Sequence, residues 1–253
     1  MYKKFTGIVL KRTRFSESSA YITVLTDAGI EKFSAKGVFS KRNKNSHASS
    51  LYALSEFVVS CKGESATMSS ATLMKSLIQQ GVDFEALSVA NYISNLSLEV
   101  SFTEEDSKKV YALLGTALSI INQKTVEPKI VKAVFELRLM SHLGFEPELD
   151  ECAECGCEFH GGSFMTSEGY VLCDKCEAFS TLSKVAMGTS LKNAIKTLLS
   201  LSDAQSFGIR FANDTQKEEF TRLSEEFSLN HLDSARASLE YYKTNIQNLT
   251  GLI

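Results

Sequence analysis

Two cysteine pairs, Cys152-Ala-Glu-Cys155 and Cys173-Asp-Lys-Cys176, stand seventeen residues apart, and this spacing constrains the chain more than any other feature. Two residues between thiols allow a tight knuckle whose sulfurs point at one ion. A second knuckle at this separation completes a tetrahedral site for one zinc ion. Gly156 is expected to take backbone angles that aim amide hydrogens at thiolate sulfur. Four thiolates leave no position open for water, so the zinc reads as structural, because a catalytic zinc usually keeps only three protein ligands. Cys157 is the alternative to Cys155, which the two-residue spacing from Cys152 favours. The base-deaminase pattern is missing: His160 is followed by Gly161-Gly162, and no proline precedes either knuckle. Between the knuckles, Gly161-Gly162, Ser163–Thr166 and Gly169–Leu172 read as turns and short strands of a ribbon at about 150–178. Cys61, alone in a strand segment, reads as core.

Over the first seventy residues the periodicity is that of strands. Phe5–Leu10, Ala20–Thr26, Glu31–Val38, Ser55–Cys61 and Ala66–Ser70 are β-rich, with Asp27-Ala-Gly29 and Lys62-Gly63-Glu64 as turns. In the third segment Phe33 and Ala35 share one face while Lys32, Ser34 and Lys36 share the other. Five short strands with a long loop after the third match a five-stranded barrel of the oligonucleotide-binding (OB) type; an SH3-like barrel fits the same count. From residue 71 the period becomes helical. Val110, Leu113, Leu114, Ala117, Leu118 and Ile121 form one apolar stripe, 84–100 and 128–143 behave alike, and helices resume at about 190–201, 215–229 and 233–248. In 128–143, Lys129, Lys132 and Glu136 are expected to form a narrow wet edge. Arg138 falls on the apolar side and needs a carboxylate such as Glu99. The fold class is α+β: residues 1–80 a barrel, residues 81–253 a helical domain with the zinc ribbon inserted.

Net charge is −3, but residues 1–80 hold twelve Lys/Arg against five Asp/Glu while the remainder holds fifteen against twenty-five. A basic surface attracts polyanions. Lys36-Gly-Val-Phe-Ser-Lys-Arg-Asn-Lys-Asn45 concentrates Lys36, Lys41, Arg42 and Lys44 around Phe39, beside Lys32, and Lys11, Arg12 and Arg14 extend the cationic surface. Single-strand binders combine such a track with aromatics on which bases stack, here Phe39 and Tyr21. Signatures of phosphate loops, dinucleotide folds, serine hydrolases and zinc proteases are absent, and the four histidines share no spacing. The chain is therefore expected not to be an enzyme. With no apolar run of the ~20 residues a spanning helix needs, and a start too short in apolar residues for export, a cytoplasmic location with reduced thiols is expected.

Several stretches resemble the RecO family of bacterial recombination mediators. Gly7-Ile-Val-Leu-Lys11 with Glu17-Ser18, Thr23–Thr26 and Ala35-Lys-Gly37 are similar to its N-terminal barrel. Phe135-Glu-Leu-Arg-Leu139, and Gly144–Leu149 running into Cys152 and later Leu172-Cys173, are similar to its helical core and zinc insertion. The resemblance covers residues 1–178. It implies an OB barrel that binds single- and double-stranded DNA, annealing of complementary strands, and loading of RecA onto strands coated by single-strand-binding protein (SSB). RecR and the acidic SSB C-terminal tail are the implied partners, and a nucleoid-associated location follows. Where some members carry basic residues before the Phe-Glu-Leu motif this chain has Ala133 and Val134, leaving Lys132 and Arg138 as cations for an SSB tail. The residues alone also admit an RNA-associated barrel-and-ribbon protein, a zinc-dependent nucleic-acid hydrolase, and a scaffold that docks proteins on its ribbon.

Overall fold

Glycine at position 7 is what lets one strand serve two neighbours. A Cβ there would lie 2.3 Å from Val24 Cγ1 and 2.6 Å from the Leu25 carbonyl oxygen, so only glycine permits so close an approach. This strand, β1 (Tyr2–Arg14), pairs antiparallel with both β2 (Ala20–Thr26) and β4 (Ala53–Lys62). With β3 (Gly29–Ala35) and β5 (Ser65–Ser76) they close a barrel in the order β1-β2-β3-β5-β4. The β3–β5 seam is parallel, and there Ser34 Oγ lies 3.0 Å from Thr67 Oγ1. In the β1–β2 pairing Val9 faces Val24 and Lys11 faces Thr23, so Leu10 is an unmatched bulge residue. Val9, Ala20, Ile22, Val24, Phe33, Ala35 and Phe57 fill the interior. The alternation expected in 31–38 holds as far as Ala35, with Phe33 and Ala35 buried and Lys32 exposed, but β3 ends there, and β5 runs to Ser76, past residue 71 where helical period was expected.

The computed structural model describes residues 1–40, 43–79, 81–100, 103–232 and 235–250. These fall into two compact units, Met1–Lys124 and Thr125–Ile253. The first unit extends beyond the strands, because α1 (Phe84–Val100) and α2 (Glu104–Gln123) join the barrel. Thr103 caps α2 by accepting from the Asp106 amide at 3.1 Å, and Glu104, Glu105 and Asp106 suit the positive end of its dipole. The predicted apolar stripe of α2 is wholly buried, and the helix packs on β2 and β3.

In the second unit α3 (Pro128–His142) is the central helix. A four-stranded sheet follows, ordered β6-β8-β7-β9, from β6 (Glu148–Cys152), β7 (Gly161–Met165), β8 (Tyr170–Cys173) and β9 (Lys184–Gly188). It outruns the ribbon expected at 150–178, because β9 pairs with β7 from Gly161↔Gly188 to Met165↔Lys184. One-turn α4 (Asp174–Glu177) carries Cys176; α5 (Thr189–Ser200), α6 (Asp203–Ser206), α7 (Asp214–His231) and α8 (Ala235–Thr250) complete the unit.

For α3 one expectation is overturned, and another, a buried Arg138 satisfied by a helix carboxylate, holds with a different partner. Lys132 and Glu136 form no wet edge, being only 5% and 0% exposed. They are paired with each other at 2.8 Å, Lys132 reaches Glu225 of α7 at 2.9 Å, and Ser224 donates to Glu136 at 3.3 Å. Because α7 packs along this side, the charges meet across the helix interface instead of meeting water. The partner of Arg138 is not Glu99 but Asp203 of α6, whose Oδ1 lies 2.8 Å from Nε and 2.6 Å from an Nη, while the Leu199 carbonyl accepts at 2.9 Å.

Candidate nucleic-acid interface and metal centre

The loop from β3 to β4 is held firmly at its start. Gly37 donates to Ser19 Oγ (3.1 Å), Phe39 to the Ser18 carbonyl (3.0 Å), and the Asn43 side-chain amide to the Gly37 carbonyl (2.9 Å). Phe39 is thereby half-buried against the barrel core, and two guanidinium groups lie over its ring: Arg12 at 4.6 Å and Arg14 at 4.3 Å from the centroid. The ring face attracts a cation, so the arginines stand together despite their like charge. Burial, and then the nearby Arg14, hold the Arg12 guanidinium below its ordinary pKa. Its Nε is enclosed without a hydrogen-bond partner among the described residues.

Lys11 and Lys32 stand on the outer face of β1–β3, lining one groove with Tyr21, and Lys36 and Lys44 are exposed in the loop. Among the described residues none of Lys11, Arg12, Arg14, Lys32, Lys36 and Lys44 has a carboxylate partner, whereas Lys3 and Lys4 of the same barrel pair with Glu31 and Glu56. Lys41 and Arg42 lie outside the described residues. Sequence reasoning passed over Phe15, which is 47% exposed and packs on Tyr21 with ring centroids 4.6 Å apart.

In the second unit Cys152 ends β6 and Cys173 ends β8, two strands paired in parallel. With Cys155 in the intervening turn and Cys176 in α4, they bring four sulfurs within 4.8 Å of one another. A tetrahedron with sulfur about 2.3 Å from its centre has edges of about 3.8 Å. The Cys155 and Cys173 sulfurs are 3.9 Å apart, so the set fits one thiophilic metal ion. Burial opposes ionisation of Cys152, but backbone N–H groups of Cys173, Cys155 and Glu154 outweigh it and bring the thiol down to about 6. Gly156 has the positive φ expected of it (68°), yet its amide donates to the Cys152 carbonyl at 2.8 Å and not to sulfur. Cys157 is exposed; its hydrogen bond with Cys155 leads the influences that push its thiol up to about 12.

A family model described as Recombination protein O N terminal matches residues 1–77, and one described as Recombination protein O C terminal matches residues 81–240. The chain belongs to the RecO family. It is 24% identical over 237 residues to the DNA repair protein RecO of Alkaliphilus metalliredigens, covering 92% of this chain and 95% of that protein. It is 25% identical over 259 residues to the DNA repair protein RecO of Desulforamulus reducens, covering 98% of each. With the DNA repair protein RecO of Acetivibrio thermocellus the identity is 24% over 246 residues, covering 96% and 97%. The two RecO models meet where strands give way to helices, while the compact first unit continues to Lys124. Lys132 and Arg138, the cations that the RecO resemblance left for an SSB tail, are both buried and already paired with carboxylates. Among the described residues no helix is long and apolar enough to cross a membrane.

Proposed function

We propose that this RecO-family chain is a non-enzymatic mediator of recombinational DNA repair, acting in the cytoplasm at the nucleoid. In this reading residues 1–80 form an OB barrel that binds single- and double-stranded DNA, and residues 81–253 form the helical domain with its zinc ribbon. The protein anneals complementary strands and, with RecR and the SSB tail, helps load RecA onto SSB-coated DNA. The observation that carries the reading is the Arg12–Arg14 pair over Phe39: two crowded guanidinium groups that, among the described residues, have no carboxylate partner. Arg12 is half-buried and Arg14 exposed, so a phosphate beside their guanidinium groups would supply the negative charge that no carboxylate among the described residues provides.

Annealing needs no covalent chemistry. Two single strands repel through their phosphates; uncompensated cations lower that repulsion, after which base pairing is itself favourable. Cys152, Cys155, Cys173 and Cys176 would hold one zinc ion, which contributes folding energy. The SSB contact is not assigned to Lys132 or Arg138, whose charges are spent inside the second unit. The test is annealing of complementary oligonucleotides coated with SSB. Wild type is expected to accelerate it and the charge reversal R12E/R14E to abolish the acceleration; annealing by the variant at the wild-type rate would refute the reading.

A further inference from the structure

Phe15 and Tyr21 are 47% and 54% exposed and lie against each other. Contiguous exposed rings, unlike single ones, mark a contact surface. Phe15 opens the β1–β2 turn, where its amide donates to the Ser19 carbonyl at 3.2 Å, and Tyr21 stands opposite Thr13 of β1 and Ser34 of β3. Below Tyr21 the outer face of β1–β3 and the end of α1 enclose a groove of about 460 Å³. Its walls include Lys11, Thr23 and Lys32 on the strands, and Asn95 and Glu99 on the helix. Such a volume is within the range of small-molecule sites. Lysines at the strand side suit a phosphate backbone.

We propose that the Phe15–Tyr21 pair and the groove beneath it form a nucleobase subsite that takes an unstacked base of a single strand, with Lys11 and Lys32 meeting its flanking phosphates. This rests on the reading of the barrel as a DNA-binding surface and adds what distinguishes a single strand from a duplex. In a duplex every base is already stacked and paired, so its rings cannot reach Tyr21. Phe39, the other aromatic of the surface, already has its ring engaged by Arg12 and Arg14 and fixes those cations instead of stacking a base.

The full-length protein is titrated with three probes of equal length: a mixed-sequence single strand, an abasic single strand and a duplex. Wild type is expected to prefer the base-bearing strand over the abasic one by about tenfold, the worth of one stacked base. F15A/Y21A should bind both single strands equally and the duplex as wild type does, while Y21F, which keeps the ring, should retain the preference. In a second readout, a single strand carrying 5-iodouracil is irradiated, and the adduct is expected on Tyr21 or Phe15. A preference that survives in F15A/Y21A, an equal loss of duplex binding, or an adduct on Phe39 would overturn the subsite while leaving the cationic surface intact. Wild type that binds none of the three probes would overturn the DNA-binding reading itself, and the subsite with it.

Discussion

Removing Arg12 and Arg14 together is expected to change how DNA binding responds to salt, by an amount set by the number of uncompensated cations. Eight described cations of the barrel lack a carboxylate partner, and six of them belong to the proposed DNA surface: Lys11, Arg12, Arg14, Lys32, Lys36 and Lys44. If each neutralises one phosphate of a single strand, log affinity falls against log salt with a slope of about −4. Between 50 and 200 mM salt that is a loss of about 300-fold. R12A/R14A leaves four contacts, a slope of about −3 and a loss of about 50-fold over the same range. Fluorescence anisotropy of a labelled oligonucleotide at four salt concentrations measures both slopes. The control is K3A/K4A, which removes two cations from the same strand that already have Glu31 and Glu56 as partners. Its slope should equal that of wild type. Identical slopes for wild type and R12A/R14A, or an equal drop in the control, would show that overall charge and not this cluster governs binding.

Other expectations concern stability. Asp203→Ala strands the Arg138 guanidinium, 9% exposed, without its carboxylate and should cost about 3–5 kcal/mol in urea denaturation. The same pair sets a response to acid. Burial works against ionised Asp203, but hydrogen bonds from His142 and Arg138 outweigh it and hold the carboxyl below its ordinary range. A depressed carboxyl stabilises the fold above about pH 4 and loses that contribution as pH falls through its folded value, so D203A should show a shallower acid transition than wild type. Cys173→Ser removes one of four clustered thiols; the purified variant should lose bound zinc by mass spectrometry and melt earlier, while oligonucleotide binding at the barrel persists. Gly7→Ala brings a methyl against Val24 and the Leu25 carbonyl, and overpacking of about 1–3 kcal/mol should appear as a lowered denaturation midpoint.

What the sequence made legible was local in origin. Alternation within 31–35, the α2 stripe from Val110 to Ile121, and the spacing of Cys152 from Cys155 all depend on residues within a few positions of one another. The partner of Arg138 lies 65 residues away on a helix of four residues, and no short-range pattern marks it. Lys132 and Glu136 misled because charges on a helix ordinarily mark the solvated side, whereas here α7 supplies Glu225 and Ser224 to bury them. Strand β9 is five residues long and takes its place only by pairing with β7. In the barrel, aromatic side chains were recognisable as a class, but which ring grips arginines and which stays open depends on the turn at 15–19 and on the hydrogen bonds that seat Phe39.

The unmatched Leu10 decides where a run of consecutive polar side chains is sent. Val24, Ile22 and Ala20 make up the inward row of β2, and opposite them stand Val9, Arg12 and Arg14. Strict alternation from Val9 would have directed Lys11 and Thr13 inward and turned both arginines out. The spare residue reverses the parity, so one short stretch supplies the stacked guanidinium pair at the barrel end as well as the lysine of the outer groove. Deleting Leu10 would bring Lys11 directly after Val9, opposite Thr23 as now, so both sets should keep their faces without the bulge and with net charge unchanged; unchanged DNA binding in that variant would show that cation placement, and not the bulge itself, is what counts.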